Sequence, residues 1–168
     1  MNKYPALFLD RDGVINSYGS YIYKIKDFHF NNKIFELCRN FKKNGYKIIV
    51  VTNQAGVARK IFTEDDFHAL NSYMLKKFQD HNIMIDGVFY CFHHPDFSDE
   101  ECNCRKPKPG MLLEAIYKHN IDPRKSILIG DSNTDIEAGK NANVKHNLLI
   151  KKNLLPDFNY LMDKYIDE

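Results

Sequence analysis

No run in this sequence approaches the eighteen or so apolar residues that a spanning helix needs, which excludes a helical membrane protein. The sequence also lacks any block of charge of one sign. Its 24 basic and 22 acidic residues give a formal charge of +2 and are dispersed along the chain. That disfavours nucleic acid or a membrane surface as the main partner. No internal repeat or low-complexity linker is present. The opening MNKYPALFLDRDG meets an acidic pair too early for a secretory signal, so a cytoplasmic location is expected. Cysteine is scarce, with four in the chain.

What is present suits a folded domain. The 168 residues fit a single domain, 1–168, and a 43% hydrophobic content is enough for a core. Apolar runs alternate with helical patterns from end to end. Strands are expected at Ala6–Leu9, Tyr46–Thr52, Val88–Phe92, Ser126–Gly130 and Leu148–Ile150. Between the first two, Ile34, Leu37, Cys38 and Phe41 recur at helical spacing, with Gly45 placed for a helix end. Thr63 reads as an N-cap ahead of an acidic first turn and the stripe Phe67, Leu70, Met74, Phe78. Pro109 is placed as the first residue of a further helix. Helices are also expected from about Thr134 to Asn143 and from Pro156 to Tyr165, whereas Asn16–Phe30 and His93–Lys108 look irregular. Strand–helix alternation with continuously apolar strands implies an α/β fold, a parallel sheet covered on both faces. Ligands then bind at the carboxyl ends of the strands.

The residues at those ends carry the chemistry. Asp10-Arg11-Asp12-Gly13 comes directly after the first strand, and two carboxylates so close need a cation or a shared proton. Thr52-Asn53 closes the second strand with a hydroxyl and an amide that can donate to phosphate oxygens, and Arg59 lies just beyond. Arg105-Lys106-Pro107-Lys108-Pro109-Gly110 sets cations in a proline-stiffened loop. Asp131 closes the fourth strand, with Asp135 in the next helical turn. Each signal also has a bland reading as a solvated turn or a helix cap. Their order along the chain is what carries weight.

The spacing Cys91-x-His93-x8-Cys102-x-Cys104 offers a closed tetrahedral zinc set, a local disulfide being the alternative. Four ligands leave no position for water, so such a zinc would be structural, pinning a loop of about 91–106 that ends at the cations Arg105 and Lys106. Spacing alone does not choose between His93 and His94. Cys38, within an apolar helical stripe, reads as core.

The stretches FLDRDG, VVTNQ, RKPKPG and ILIGDSNTD together resemble the haloacid dehalogenase-like phosphotransferases. That resemblance implies a doubly wound parallel sheet with a minimal cap and a magnesium-dependent phosphatase. Asp10 would be the nucleophile and Asp12 the general acid and base. Thr52 and Lys106 would hold the phosphoryl oxygens. Mg²⁺ would rest on Asp10, the Asp12 carbonyl and Asp131, with Asp135 supporting its surroundings.

The cysteine loop narrows the resemblance to bacterial phosphatases of heptose bisphosphate and histidinol phosphate, in which the first histidine, here His93, ligates zinc. Substrate contacts are implied for Arg11, Tyr18, Gly19, Ser20, Tyr21 and Thr52, for Asn53, Gln54, Ala55 and Arg59, and for Arg105, Lys106 and Ser132 as well as Asp10 and Asp12. The expected substrate is a small sugar phosphate, the 7-phosphate of a heptose 1,7-bisphosphate, handled by a monomer. A cationic histidinol substrate would call for acidic residues at the mouth, and Asn16–Tyr23 has none. Ser132 stands where a lysine is common in that subgroup, and Lys60 where a glycine is usual. Loss of that lysine is expected to weaken contact with a second phosphate.

Overall fold

The computed structural model describes residues 3–165. Five strands form one parallel sheet: β1 (Ala6–Leu9), β2 (Lys47–Asn53), β3 (Gly87–Cys91), β4 (Ile127–Gly130) and β5 (His146–Leu149), in the order β3-β2-β1-β4-β5. Five helices connect or succeed them: α1 (Ile34–Lys43), α2 (Glu64–Asp80), α3 (Gly110–Lys118), α4 (Asn133–Asn141) and α5 (Phe158–Tyr165).

The two-residue period of the strands sorts their side chains onto two faces. Leu7, Leu9, Ile48, Val50, Ile127 and Ile129 join the buried stripes of α1, α2 and α5 in one core. Ala6, Phe8, Ile49, Val51 and Leu128 join α3 and α4 in the other. Both faces of the central strands are therefore buried, which is why these strands read as unbroken apolar runs. Each fully buried Leu, Ile or Phe side chain contributes about 1.5–3 kcal/mol.

The chain winds outward from β1 through β2 to β3, then returns to β1's other side for β4 and β5. The reversal lies between β1 and β4, so their carboxyl ends splay and open a crevice. Leu9 is paired with Ile129, and Asp10 N–H donates to Ile129 O at 3.1 Å. That register sets the residues after β1 beside those after β4.

Thr63 caps α2, as expected, contributing about 1 kcal/mol, and Asp66 returns the bond by accepting the Thr63 N–H. Several boundaries differ from the sequence reading. Pro109 is the N-cap of α3 rather than its first residue: its carbonyl accepts the first intrahelical bond, from the Leu113 N–H at 2.9 Å. Strand β3 begins and ends one residue earlier than expected. Strand β5 begins at His146, where pairing with Ile127 starts, and its polar first residues hid it. The segment 16–30 is a loop closed at its neck, where Ser17 N–H donates to His29 O at 2.8 Å. Among the described residues no helix is long and apolar enough to cross a membrane.

Candidate functional site

Two glycines make the crevice possible. Gly13 has φ +88°, and any Cβ there would collide with the Asp131 carboxylate. A Cβ on Gly130 would strike the Asp135 side chain. These absences let the carboxylates of Asp10, Asp131 and Asp135 approach until their oxygens lie within 4.8 Å of one another.

One buried cation faces that cluster. Lys106 Nζ donates to Asp10 Oδ1 at 2.9 Å and to Val51 O at 2.8 Å, and lies 2.7 Å from Asp135 Oδ1. All three of its donors are thus engaged. Asn53 holds the loop that carries it: the Lys106 N–H donates to Asn53 Oδ1 at 3.0 Å, and Asn53 Nδ2 donates to Lys106 O at 3.1 Å.

Three carboxylates against one ammonium leave the site short of positive charge. Burial pushes Asp10 up to about 7; Lys106 opposes this, while Asp135 and Asp12 add repulsion. Burial and then Asp135 also raise Asp131, against the pull of Lys152 and Lys106. Burial alone would lower Lys106, yet Asp10 and Asp135 carry it above the ordinary lysine range. An oxygen-rich, electron-rich cluster of this kind fits a hard divalent cation such as Mg²⁺. Asp135 bonds Lys106 and caps the Ser132 N–H at 3.1 Å, so it has structural partners that Asp131 lacks.

Asp12 points elsewhere. Its carboxylate accepts from Arg11, from Asn16 Nδ2 at 3.0 Å and from Gln54 Nε2 at 3.0 Å, so it is held apart from the cluster. Gln54 Nε2 also donates to the Thr52 hydroxyl at 2.9 Å. The expected contact from Arg11 takes a different form. Its side chain is 2% exposed, lies 5.9 Å from the centres of the Phe28 and Phe67 rings, and donates to Ile22 O, Gln54 Oε1 and Asp12. Turned inward, it positions Asp12 and does not line the cleft beside it.

Beside Asp12 opens a cleft of about 330 Å³ lined by Tyr18, Gly19, Ser20 and Tyr21 on one wall and by Asn53, Gln54, Ala55, Gly56, His94 and Arg105 on the other. Arg59 stands at its edge, donating to the Tyr21 hydroxyl and packed over the Phe97 ring. Ser132 lies outside that lining and caps α4, accepting from the Thr134 N–H. Lys60 adopts φ +57°, which accounts for the suitability of glycine there. Sequence reading missed Asn16, which is fully buried, and the Lys152–Asn153 segment, which reaches Gly13 and Tyr18. An asparagine and a tail lysine carry no motif that would flag them.

The cysteine loop closes as the spacing implies. Cys91, His93, Cys102 and Cys104 bring ligand atoms within 4.8 Å of one another. His93 Nδ1 is 3.4 Å from the sulfurs of Cys91 and Cys104, and Cys91 Sγ is 3.7 Å from Cys102 Sγ. Such spacings match the ligand edges of a tetrahedral zinc with bonds of about 2.0–2.3 Å. The structure also pairs Cys91 with Cys104 as a disulfide and leaves Cys102 and the buried Cys38 free. The disulfide differs from the thiolate expectation, and the two states exclude one another at those sulfurs. His94 faces away, its Nδ1 accepting from the Asp96 N–H at 3.1 Å. Arg105 donates to His93 O at 3.1 Å and Lys108 Nζ to Cys102 O at 2.7 Å, so this cluster braces the loop bearing Lys106.

Residues 103–152 match the family model described as HAD-hydrolase-like. Over 150 residues the chain is 47% identical to D-glycero-alpha-D-manno-heptose-1,7-bisphosphate 7-phosphatase of Campylobacter jejuni, covering 89% of this chain and 84% of the relative. Over 154 residues it is 44% identical to D-glycero-beta-D-manno-heptose-1,7-bisphosphate 7-phosphatase of Haemophilus influenzae, covering 90% and 83%. Among solved structures it is similar to the D,D-heptose 1,7-bisphosphate phosphatase of B. bronchiseptica complexed with magnesium and phosphate. That match has a TM-score of 0.75 at 27% identity, covering 82% of this chain and 76% of the other.

Proposed function

The chain belongs to the haloacid dehalogenase-like D-glycero-D-manno-heptose-1,7-bisphosphate 7-phosphatases, and from that membership we propose how its residues release the 7-phosphate. The meeting of Asp10, Lys106 and Asp131 at the β1/β4 reversal carries this reading. Asp10 attacks phosphorus; its Oδ–P bond forms as the bond from phosphorus to the sugar's C7 oxygen breaks. Asp12, as the acid, gives its proton to that leaving oxygen. Heptose 1-phosphate leaves at this point; Asp12 then takes a proton from the water that hydrolyses the aspartyl-phosphate, which releases inorganic phosphate and restores Asp10.

Lys106 and the Thr52 hydroxyl hold the non-bridging oxygens, cancelling repulsion between a carboxylate and an anionic ester. Gln54 bridges Thr52 and Asp12, which supports phosphate holding and proton transfer acting from one frame. Mg²⁺ would rest on Asp10, Asp131 and the Asp12 carbonyl, keep Asp10 ionised near neutral pH and neutralise charge on the transferring group. Zn²⁺ would rest on Cys91, His93, Cys102 and Cys104. With no open position it would stiffen the loop and take no part in the chemistry.

The purified enzyme with Mg²⁺ should hydrolyse heptose 1,7-bisphosphate with a higher kcat/KM than histidinol phosphate or hexose monophosphates, read as phosphate release. Fastest turnover of histidinol phosphate would overturn the substrate assignment.

A further inference from the structure

The segment after β5 brings to the cleft a cation with no role in the chemistry described so far. Ile150 N–H donates to Gly130 O at 2.9 Å, and Asn153 N–H donates to Gly13 O at 2.9 Å. Asn153 Oδ1 accepts the Tyr18 N–H at 2.8 Å. These three bonds fasten the stretch 150–153 to both the β4 tip and the turn after β1. Lys152, between the anchors, places its Nζ 3.0 Å from the centre of the Tyr18 ring, and that ring lines the cleft.

Lys152 is exposed, and among the described residues its ammonium makes no hydrogen bond or close ion pair, although its charge is felt at Asp131. Its N–H donors are uncommitted. Arg105, which lines the cleft, gives one of its five N–H donors to His93 O, and Arg59 is held by the Tyr21 hydroxyl and the Phe97 ring. The position after Asp131 supplies no cation: Ser132 offers a hydroxyl already shared with Thr134. A bisphosphate needs positive charge at two places, and Lys106 serves only the reacting one.

Resting on the substrate reading above, we propose that Lys152 is a specificity residue that binds the second, non-reacting phosphate of the bisphosphate, with the Tyr18 ring as its platform. An exposed cation–π contact is weak, whereas an ammonium bonded to a phosphate dianion is charge-assisted, so the lysine exchanges one for the other readily. The tail thus supplies from 150–153 the charge that the residue after Asp131 does not.

The test compares wild type, Lys152→Ala and Lys152→Arg on heptose 1,7-bisphosphate and heptose 7-phosphate. The alanine variant should raise KM for the bisphosphate about tenfold or more, with kcat nearly unchanged and the monophosphate unaffected. Arginine should restore most of the loss. If wild type prefers the bisphosphate and Lys152→Ala keeps that preference, the assignment of Lys152 falls while the substrate reading stands. An equal loss on both substrates would make Lys152 a loop-stabilising residue and also overturn it. If wild type does not favour the bisphosphate, the substrate reading falls and the assignment falls with it.

Discussion

The two ends of the sheet present opposite kinds of hollow. At the carboxyl ends lies a cleft of about 330 Å³ beside buried, mutually bonded charges. Near the other end of β4 and β5 lies a hollow of about 920 Å³, bordered by Lys3, Arg124, Lys140, Lys145 and His146. The wider hollow is the poorer candidate. Its lysines are exposed and solvated, where charge does little work. At the crevice Lys106 is 4% exposed and forced against two carboxylates, where a low dielectric makes each charge count. Convergence of desolvated charge, rather than volume, marks the reactive end.

The largest effect expected from that contrast comes from Asp10, the proposed nucleophile. Asp10→Asn should lower kcat by about 10⁴-fold or more while circular dichroism stays native. The double variant Lys140→Ala/Lys145→Ala should leave kcat/KM within about twofold of wild type. Comparable losses at both ends would break the comparison.

A smaller, indirect effect is expected from the cysteine loop. Cys102→Ser should abolish stoichiometric zinc, lower the melting temperature and reduce kcat roughly 10–100-fold by loosening the loop that carries Lys106. Metal analysis with thiol titration after denaturation in chelator checks the state of the wild type. Four titratable thiols with one zinc would establish the thiolate set, whereas two thiols with no zinc would establish the disulfide.

The smallest effect is electrostatic. The folded protein holds Asp10 up at about 7 against an ordinary 3.8, and Asp131 is raised as well. For a carboxylate so raised, folding takes up a proton. Stability on its account is therefore present below about pH 4 and lost as pH rises through 7. Metal-free protein should melt at a lower temperature at pH 8 than at pH 5. Mg²⁺ should raise the melting temperature by a few degrees more at pH 8 than at pH 5 in calorimetry. An equal increment at both values would separate the cation from these carboxylates.

The elements and strand-tip residues were legible because they rest on local patterns. A buried strand is an apolar run, and a reactive side chain in such a sheet comes directly after the run. Strand β5 was less legible because an edge strand tolerates polar residues, here His146 and Asn147. Among the expected substrate contacts, Tyr18–Tyr21 and Asn53–Ala55 do line the cleft. Arg11 does not present its side chain there, since Phe28 and Phe67 create an interior slot that no local pattern announces.

The sequence alone determined the strand order of functional residues, the acid-x-acid turn and the spacing of the cysteine loop, because covalent connection dictates which residues leave each strand tip. Only the tertiary structure decided which way each carboxylate faces and that Asp135 shares Lys106 with Asp10. It alone brings Asn153 to Tyr18, 135 residues away in the chain. Those contacts depend on the reversal of strand order at β1 and β4, which sets distant strand ends side by side and cannot be read from any one segment.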